Sequence, residues 1–281
     1  RESSHGGLLE KELSYWCALL DGAPTLHNLP LDRPRPLRQR FDARRHEQSL
    51  PKALLDDLNR LAREHGATLF MVLQGAYAAL LGRFSGERDI VMAVPNGGRA
   101  QHELAPLIGF FINTLAFRSD VPADLRLNEL VVRARQTALG AFAHTNIPFE
   151  MLTDALKLER NLAYNPLCQI KFVLQNHDAG RFELTGLQVE SAEQSPEKVH
   201  FDLDLTAVES EHGLHLNWTY KDDLFDAVSI ERMALAYARL LAQMVERPTA
   251  RLDELMWVDG DDVQSLRALG RGPDSTLRRD A

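Results

Sequence analysis

His200-Phe201-Asp202-Leu203-Asp204 sets a histidine and an aspartate four residues apart, as H-x-x-x-D. At that spacing an imidazole can take a proton from an attacking group while a carboxylate organises the site. The chemistry needs a turn that carries the histidine into the open, usually with glycine after the aspartate. Here Leu205 follows, and the run alternates apolar and polar as a strand does, so it reads as strand residues. No G-x-S-x-G marks a serine nucleophile. Asn96-Gly97-Gly98-Arg99 lacks the glycine spacing of a phosphate cradle, and Asn-Gly forms turns unaided. His144 falls at an expected helix end, where an imidazole interacts with the last carbonyls. Asn165-Pro166 reads as a turn feeding a strand. Cys17 and Cys168 belong to no CxxC pair or His/Cys cluster, so no metal site is expected. Two unpatterned cysteines fit a reducing cytoplasm.

The elements that would position these residues follow from periodicity. A short helix spans Leu8 to Leu20 and ends at Asp21-Gly22-Ala23-Pro24. Leu29 to Pro36 is extended, because a residue before proline is pushed out of the helical region. His46 to Leu50 has strand character, and Pro51 opens a helix to about His65, with Gly66 at its end. Thr68 caps a helix from Leu69 to Phe84 that is apolar nearly all round and therefore expected inside. Asp89 to Pro95 is apolar on both faces, as a central strand is. Ile108 to Ser119 reads as a strand, Leu127 to His144 as a helix, Pro148 to Leu158 as a short helix, and Cys168 to Gln175 as a strand. Val199 to Val208 and Leu214 to Tyr220 form an expected hairpin, followed by a helix from Ser229 to Glu246. Helices alternating with strands, plus one antiparallel pair, predict an α/β fold: a mixed β-sheet with packed helices.

Bulk properties narrow the classes. With 281 residues and 44% hydrophobic content, the chain can bury a core. A net charge of -8 argues against nucleic acid as a partner. The local basic run Arg33, Arg35, Arg38, Arg40, Arg44 and Arg45 is broken by prolines and reads as a solvated connector. No apolar run reaches membrane-spanning length, and Arg1 to Gly7 lacks the apolar core of a signal peptide. A cytoplasmic location and no membrane partner are therefore expected.

Three segments carry a resemblance. Ile108-Gly109-Phe110-Phe111-Ile112-Asn113-Thr114-Leu115 with Arg118 is similar to the IGxFVNT…R motif of nonribosomal peptide synthetase condensation domains. His144-Thr145-Asn146-Ile147-Pro148-Phe149-Glu150 resembles that family's HQDxPFE motif. The stretch from Arg160 to Phe172, with Asn165-Pro166-Leu167 at its centre, resembles RDxSRNPLFQVxF. Order and spacing agree, and coverage runs from about residue 9 to residue 258. The chain departs from the pattern at Thr145, Asn146, Asn161, Ala163 and Tyr164. It also contains no HHxxxDG, the motif the family carries upstream of all three.

The resemblance implies a chloramphenicol-acetyltransferase-like lobe. Residues 1–7 would be the cut end of a longer chain, 8–258 the C-terminal lobe of a condensation domain, and 259–281 an interdomain linker toward an adenylation domain. The implied activity is amide formation between a carrier-bound donor thioester and an acceptor amine, made by the intact domain and not by this chain alone. A non-catalytic carrier-docking lobe and a related epimerisation or cyclisation domain are the alternatives. No cofactor is expected to bind directly, since substrates arrive on the phosphopantetheine arms of upstream and downstream peptidyl carrier proteins. The remaining implied partners are the N-terminal lobe and the adenylation domain. Candidate tunnel-lining residues are Asn96, Gly97, Arg99, His200 and Asp202. Asn113, Arg118, His144, Pro148, Phe149, Asn165 and Pro166 are expected to hold the motifs in place. By analogy between the two lobes, Thr219 stands where a catalytic histidine would, which predicts no second active site.

Overall fold

The computed structural model describes residues 2–97, 107–109, 111–175 and 198–257. Arg99 and the proposed linker 259–281 lie outside the described residues. The elements run α1 (Glu2–Leu20), β1 (Ala43–Pro51), α2 (Lys52–Glu64), α3 (Leu69–Ser85), β2 (Asp89–Asn96), β3 (Asn113–Asp120), α4 (Leu127–Phe142), α5 (Phe149–Ala155), β4 (Ile170–Gln175), β5 (Leu203–Ser210), β6 (Gly213–Lys221) and α6 (Ala227–Glu246). The strands form one sheet in the order β1-β6-β5-β4-β2-β3. β2–β4 and β4–β5 are parallel; the other neighbours are antiparallel. This is the expected mixed sheet. The hairpin is β5–β6, and its turn requires Gly213, whose φ of +137 no side chain adopts readily.

The strand period of two puts Phe117, Phe172, Leu205 and Trp218 on one face, all 0% exposed. Helices α2, α3 and α6 cover that face, and α3 is also packed by α4. The burial of α3 on every side explains its unbroken apolar sequence. Among the described residues no single helix is long and apolar enough to cross a membrane; α2 and α3 reach that composition only as a pair bent by 100°. Thr68 caps α3, accepting the Met71 amide proton at its Oγ1. Pro51 stands one residue before α2 as its N-cap, at φ -67.

Tyr77, Trp218 and Tyr237 meet edge-to-face in the centre of this layer. The Tyr237 hydroxyl donates to the Leu73 carbonyl at 2.8 Å, whereas the buried Tyr77 hydroxyl has no hydrogen-bond partner among the described residues. Tyr237→Phe is therefore expected to cost about 1 kcal/mol, the net worth of one buried hydrogen bond. Tyr77→Phe is expected to be neutral or slightly stabilising, because it removes an unsatisfied polar atom. Urea unfolding of the two variants checks this; equal losses would contradict the assignment.

Two strands are shorter than their apolar sequences suggest. The segment before β3 reads as strand from Ile108. Pairing stops at Asn96↔Asn113, because β2 supplies no partner beyond Asn96. Ile108 and Ile112 are 104% and 56% exposed, outside the sheet. Likewise β5 begins at Leu203, opposite the first residue of β4, so His200 and Asp202 precede the strand.

Candidate functional site

The candidate lining residue Asp202, on the polar side of the alternating run, is 1% exposed. Its Oδ2 accepts from Arg35 Nη2 at 2.7 Å and from His27 Nε2 at 3.0 Å, and its Oδ1 accepts from Lys221 Nζ at 2.9 Å. His27 Nδ1 accepts the Leu29 amide proton, so the ring proton that faces Asp202 sits on Nε2. Lys221, 2% exposed, also donates to Gln39 Oε1. Burial alone pushes the Asp202 carboxyl up. The hydrogen bonds from His27 and Arg35 and the charges of Arg35 and Lys221 outweigh it and hold the carboxyl well below the usual carboxylate range. Arg35 also lies over the Tyr164 ring.

This hub ties the extended Leu29–Pro36 segment to the start of β5 and the end of β6. Gln169 extends it: its side chain takes the His27 amide proton and donates to the carbonyls of Thr25 and Asn165. The Asn165 side chain donates to the His200 carbonyl. The basic run is thus not simply a solvated connector. Arg35 enters the hub, Arg33 pairs with Asp226, and Arg40 and Arg44 approach Asp42 and Asp222. Sequence reasoning misses His27, Gln169 and Lys221. Their partners lie far off in the chain; no local pattern marks His27 or Lys221, and Gln169, although inside the third motif segment, gives no local sign of its partners.

A second set of contacts organises the other two motifs. The Asn113 side-chain amide donates to the carbonyls of Thr145 and Ile147, at 3.2 and 2.7 Å. Its Oδ1 accepts from the amides of Thr114 and Phe149, at 2.9 and 3.2 Å. Asn113 therefore bends the chain that leads through Pro148, the N-cap of α5, and Phe149, its first residue. From the other side, Glu12 accepts from both the backbone and the side-chain amide of Asn146. Trp16 donates to the His144 carbonyl, and the His144 ring stacks on Tyr15 with centroids 3.7 Å apart. His144 Nδ1 lies 2.9 Å from the Gly140 carbonyl, at the end of α4. Arg118 forms a two-pronged ion pair with Asp89 and donates to the carbonyls of Leu19 and Asp21, fixing the end of α1.

The candidate lining residues do not form one group. Ala93 pairs with Lys171 and Leu203 with Ile170, so Asn96 lies level with Leu174 and Asp202 level with Gln169. Five residues of strand, about 16 Å at 3.3 Å per residue, separate the two levels. Asn96 and Gly97 sit at the C-terminal end of β2; Asp202 precedes the N-terminal end of β5, at the opposite end of the parallel strands and two strands away. His200 is exposed and packs edge-on against Phe41. Asp204 is 7% exposed and paired with Lys171. Burial pushes its carboxyl up, and Lys171 opposes the shift. His200 and Asp204 therefore serve different partners, and the H-x-x-x-D spacing builds no catalytic pair. Among the described residues no group of three His, Cys, Asp or Glu could hold a metal.

The clamps at Asn113 and His144 and the Asn165 contacts are built from the three resembling segments, and the family comparison agrees. The family model "Condensation domain" matches residues 2–266. The chain belongs to the condensation-domain family of nonribosomal peptide synthetases. It is 45% identical to a linear gramicidin synthase polypeptide of Brevibacillus parabrevis over 88% of this chain and 3% of that protein. Tyrocidine synthase 3 of the same organism is 39% identical over 86% of this chain and 4% of its own length. The chain therefore spans only a small part of the curated relatives it matches. Among solved structures, the X-domain in complex with OxyB from teicoplanin biosynthesis superposes with a TM-score of 0.83 at 27% identity, covering 90% of this chain and 56% of that one. A holo four-domain nonribosomal peptide synthetase bound to AMP and glycine gives 0.80 at 26% identity, covering 89% of this chain and 20% of that one. The fold is the chloramphenicol-acetyltransferase-like fold of condensation domains. At one departure from the family pattern, Asn146 bonds Glu12 through both its backbone and its side chain.

Proposed function

We propose that this chain is the C-terminal lobe of a condensation domain that joins a carrier-bound donor acyl or aminoacyl thioester to the amine of a carrier-bound acceptor. The observation that carries this reading is a family match over residues 2–266 in a chain that contains no HHxxxDG. The amine attacks the thioester carbonyl, the C–S bond breaks, and the carrier thiol leaves with the proton. Such a reaction relies on holding the two arms in register. The lobe lines the acceptor side, and Asn96 and Gly97, at the end of β2, are assigned to the tunnel edge. Asp202 is assigned to holding the fold, on its burial and its three cationic or imidazole partners. The histidine is supplied by an N-terminal lobe upstream, the carriers present their phosphopantetheine arms, and an adenylation domain follows.

The test mixes this chain with donor- and acceptor-loaded carrier proteins and reads the carriers by intact mass. The chain alone is expected to give no dipeptidyl thioester above the uncatalysed background. The same carriers with a chain that includes the upstream lobe are expected to give it. Product from the chain alone would overturn the reading.

A further inference from the structure

Three segments meet at the N-terminal ends of β4 and β5: residues 37–42, 160–165 and 198–200. The Gln39 amide donates to the Leu162 carbonyl, the Val199 amide donates to the Phe41 carbonyl, and Asp42 bridges to Lys198. The Gln39 side chain donates to Asn165 and accepts from Lys221, so the buried hub holds these segments from beneath. Their outer side carries Leu37, Leu162 and Phe41, which are 91%, 67% and 41% exposed.

The uncompensated charge on this surface has one sign. Arg40, Arg44 and Arg160 pair with Asp42, Asp222 and Asp154, and Lys157 and Glu159 offset each other along the chain. Arg38 and Lys198 are exposed and have no ion-pair partner among the described residues. The surface therefore keeps two cations in a chain whose net charge is -8. Exposed apolar side chains on a rigid backing, beside such cations, suit a folded partner that sets carboxylates around an apolar contact. Two cations are too few to grip a phosphate backbone.

Under the proposed function the other lobe and the adenylation domain are joined to this chain, whereas the carriers arrive and leave in every cycle. A small, charge-steered surface suits a partner that must release. Two folded carriers cannot occupy one place. Asn96 and Gly97, assigned to the acceptor side, lie at the opposite end of the parallel strands. Resting on that reading, we propose that this surface docks the donor carrier protein, through an acidic face of the carrier.

Calorimetric titration of the full chain with each purified carrier, donor-loaded or acceptor-loaded, tests this at low salt. The donor carrier is expected to bind more tightly than the acceptor carrier, and less tightly as salt is raised. Arg38→Glu with Lys198→Glu reverses two exposed charges that pair with nothing in the fold. It is expected to weaken donor binding about tenfold and to leave the urea midpoint unchanged. Leu162→Ser keeps the backbone carbonyl that Gln39 uses, and it is also expected to weaken binding with no change in the midpoint. No binding of the donor carrier, or binding that both variants leave unaltered, would overturn the proposal. Tighter binding of the acceptor carrier would overturn it too. So would binding of phosphatidylserine vesicles, lost on the charge reversal, in place of carrier binding. Docking is read here and condensation in the mass assay, so failure of the docking leaves the proposed reaction standing.

Discussion

Replacing Asp202 with Asn is expected to cost about 3–5 kcal/mol of folding stability, the usual penalty for removing one side of a buried ion pair. That is a large share of the roughly 5–15 kcal/mol that holds a typical domain folded. The loss arises because Arg35 and Lys221 would keep their charges in a site where Asp202 is 1% exposed and Lys221 2% exposed. Urea unfolding of Asp202→Asn measures it. The double variant with Lys221→Met removes one stranded cation and is expected to recover part of the loss. A double variant that simply adds the two losses would show that the hub is not a coupled unit.

The pH dependence has a definite sign. A carboxylate held below its unfolded value contributes stability that is fully present above that value, about 3.9, and disappears as pH falls through the folded one. Asp202 is held well below the ordinary range. Its contribution is therefore present at neutral pH and fades only in strong acid, below about pH 4. Asp202→Asn is expected to flatten the acid limb of stability against pH. Asp204 acts in the opposite direction, since its raised carboxyl gains a proton more readily in the folded state. An acid limb that survives Asp202→Asn unchanged would place the titrating group elsewhere.

Asn113→Ala is expected to cost about 2–4 kcal/mol, because it strands the carbonyls of Thr145 and Ile147 and the amides of Thr114 and Phe149. Asn113→Asp keeps the two accepting contacts and replaces the two donating ones with a carboxylate facing two carbonyls. It is expected to be at least as damaging as Ala, although it differs from Asn by one atom. Both variants should loosen the His144–Glu150 segment selectively, which hydrogen exchange of that segment against α3 resolves. If Asp is tolerated as well as Asn, the donated bonds are not what holds the motif.

The family and the fold were legible in the sequence because their signals are local. The continuous apolar run of a central strand shows in Asp89–Asn96, the helix period in α2 and α6, the Thr68 cap in its side-chain type, and the three motif segments in their order. Strand ends were less legible. The run from Ile108 to Ile112 is as apolar as a strand, yet only the length of β2 decides where pairing stops. Which end of the parallel strands a residue occupies was also invisible. Asn96 and Asp202 look alike as polar residues next to strands, and only the parallel register of β2, β4 and β5 offsets them by five residues, about 16 Å along the strand direction.

The sequence by itself determined the fold class, the family and the absence of HHxxxDG, because each is written in neighbouring residues. The tertiary structure alone decided what Asp202 does. Its partners, His27, Arg35 and Lys221, stand at other points of the chain, and they meet only because β4, β5 and β6 start and end beside the Leu29–Pro36 segment. A carboxylate on the polar side of an alternating strand is expected to face water. Here burial raises the cost of its charge, and three donors brought from a distance repay that cost.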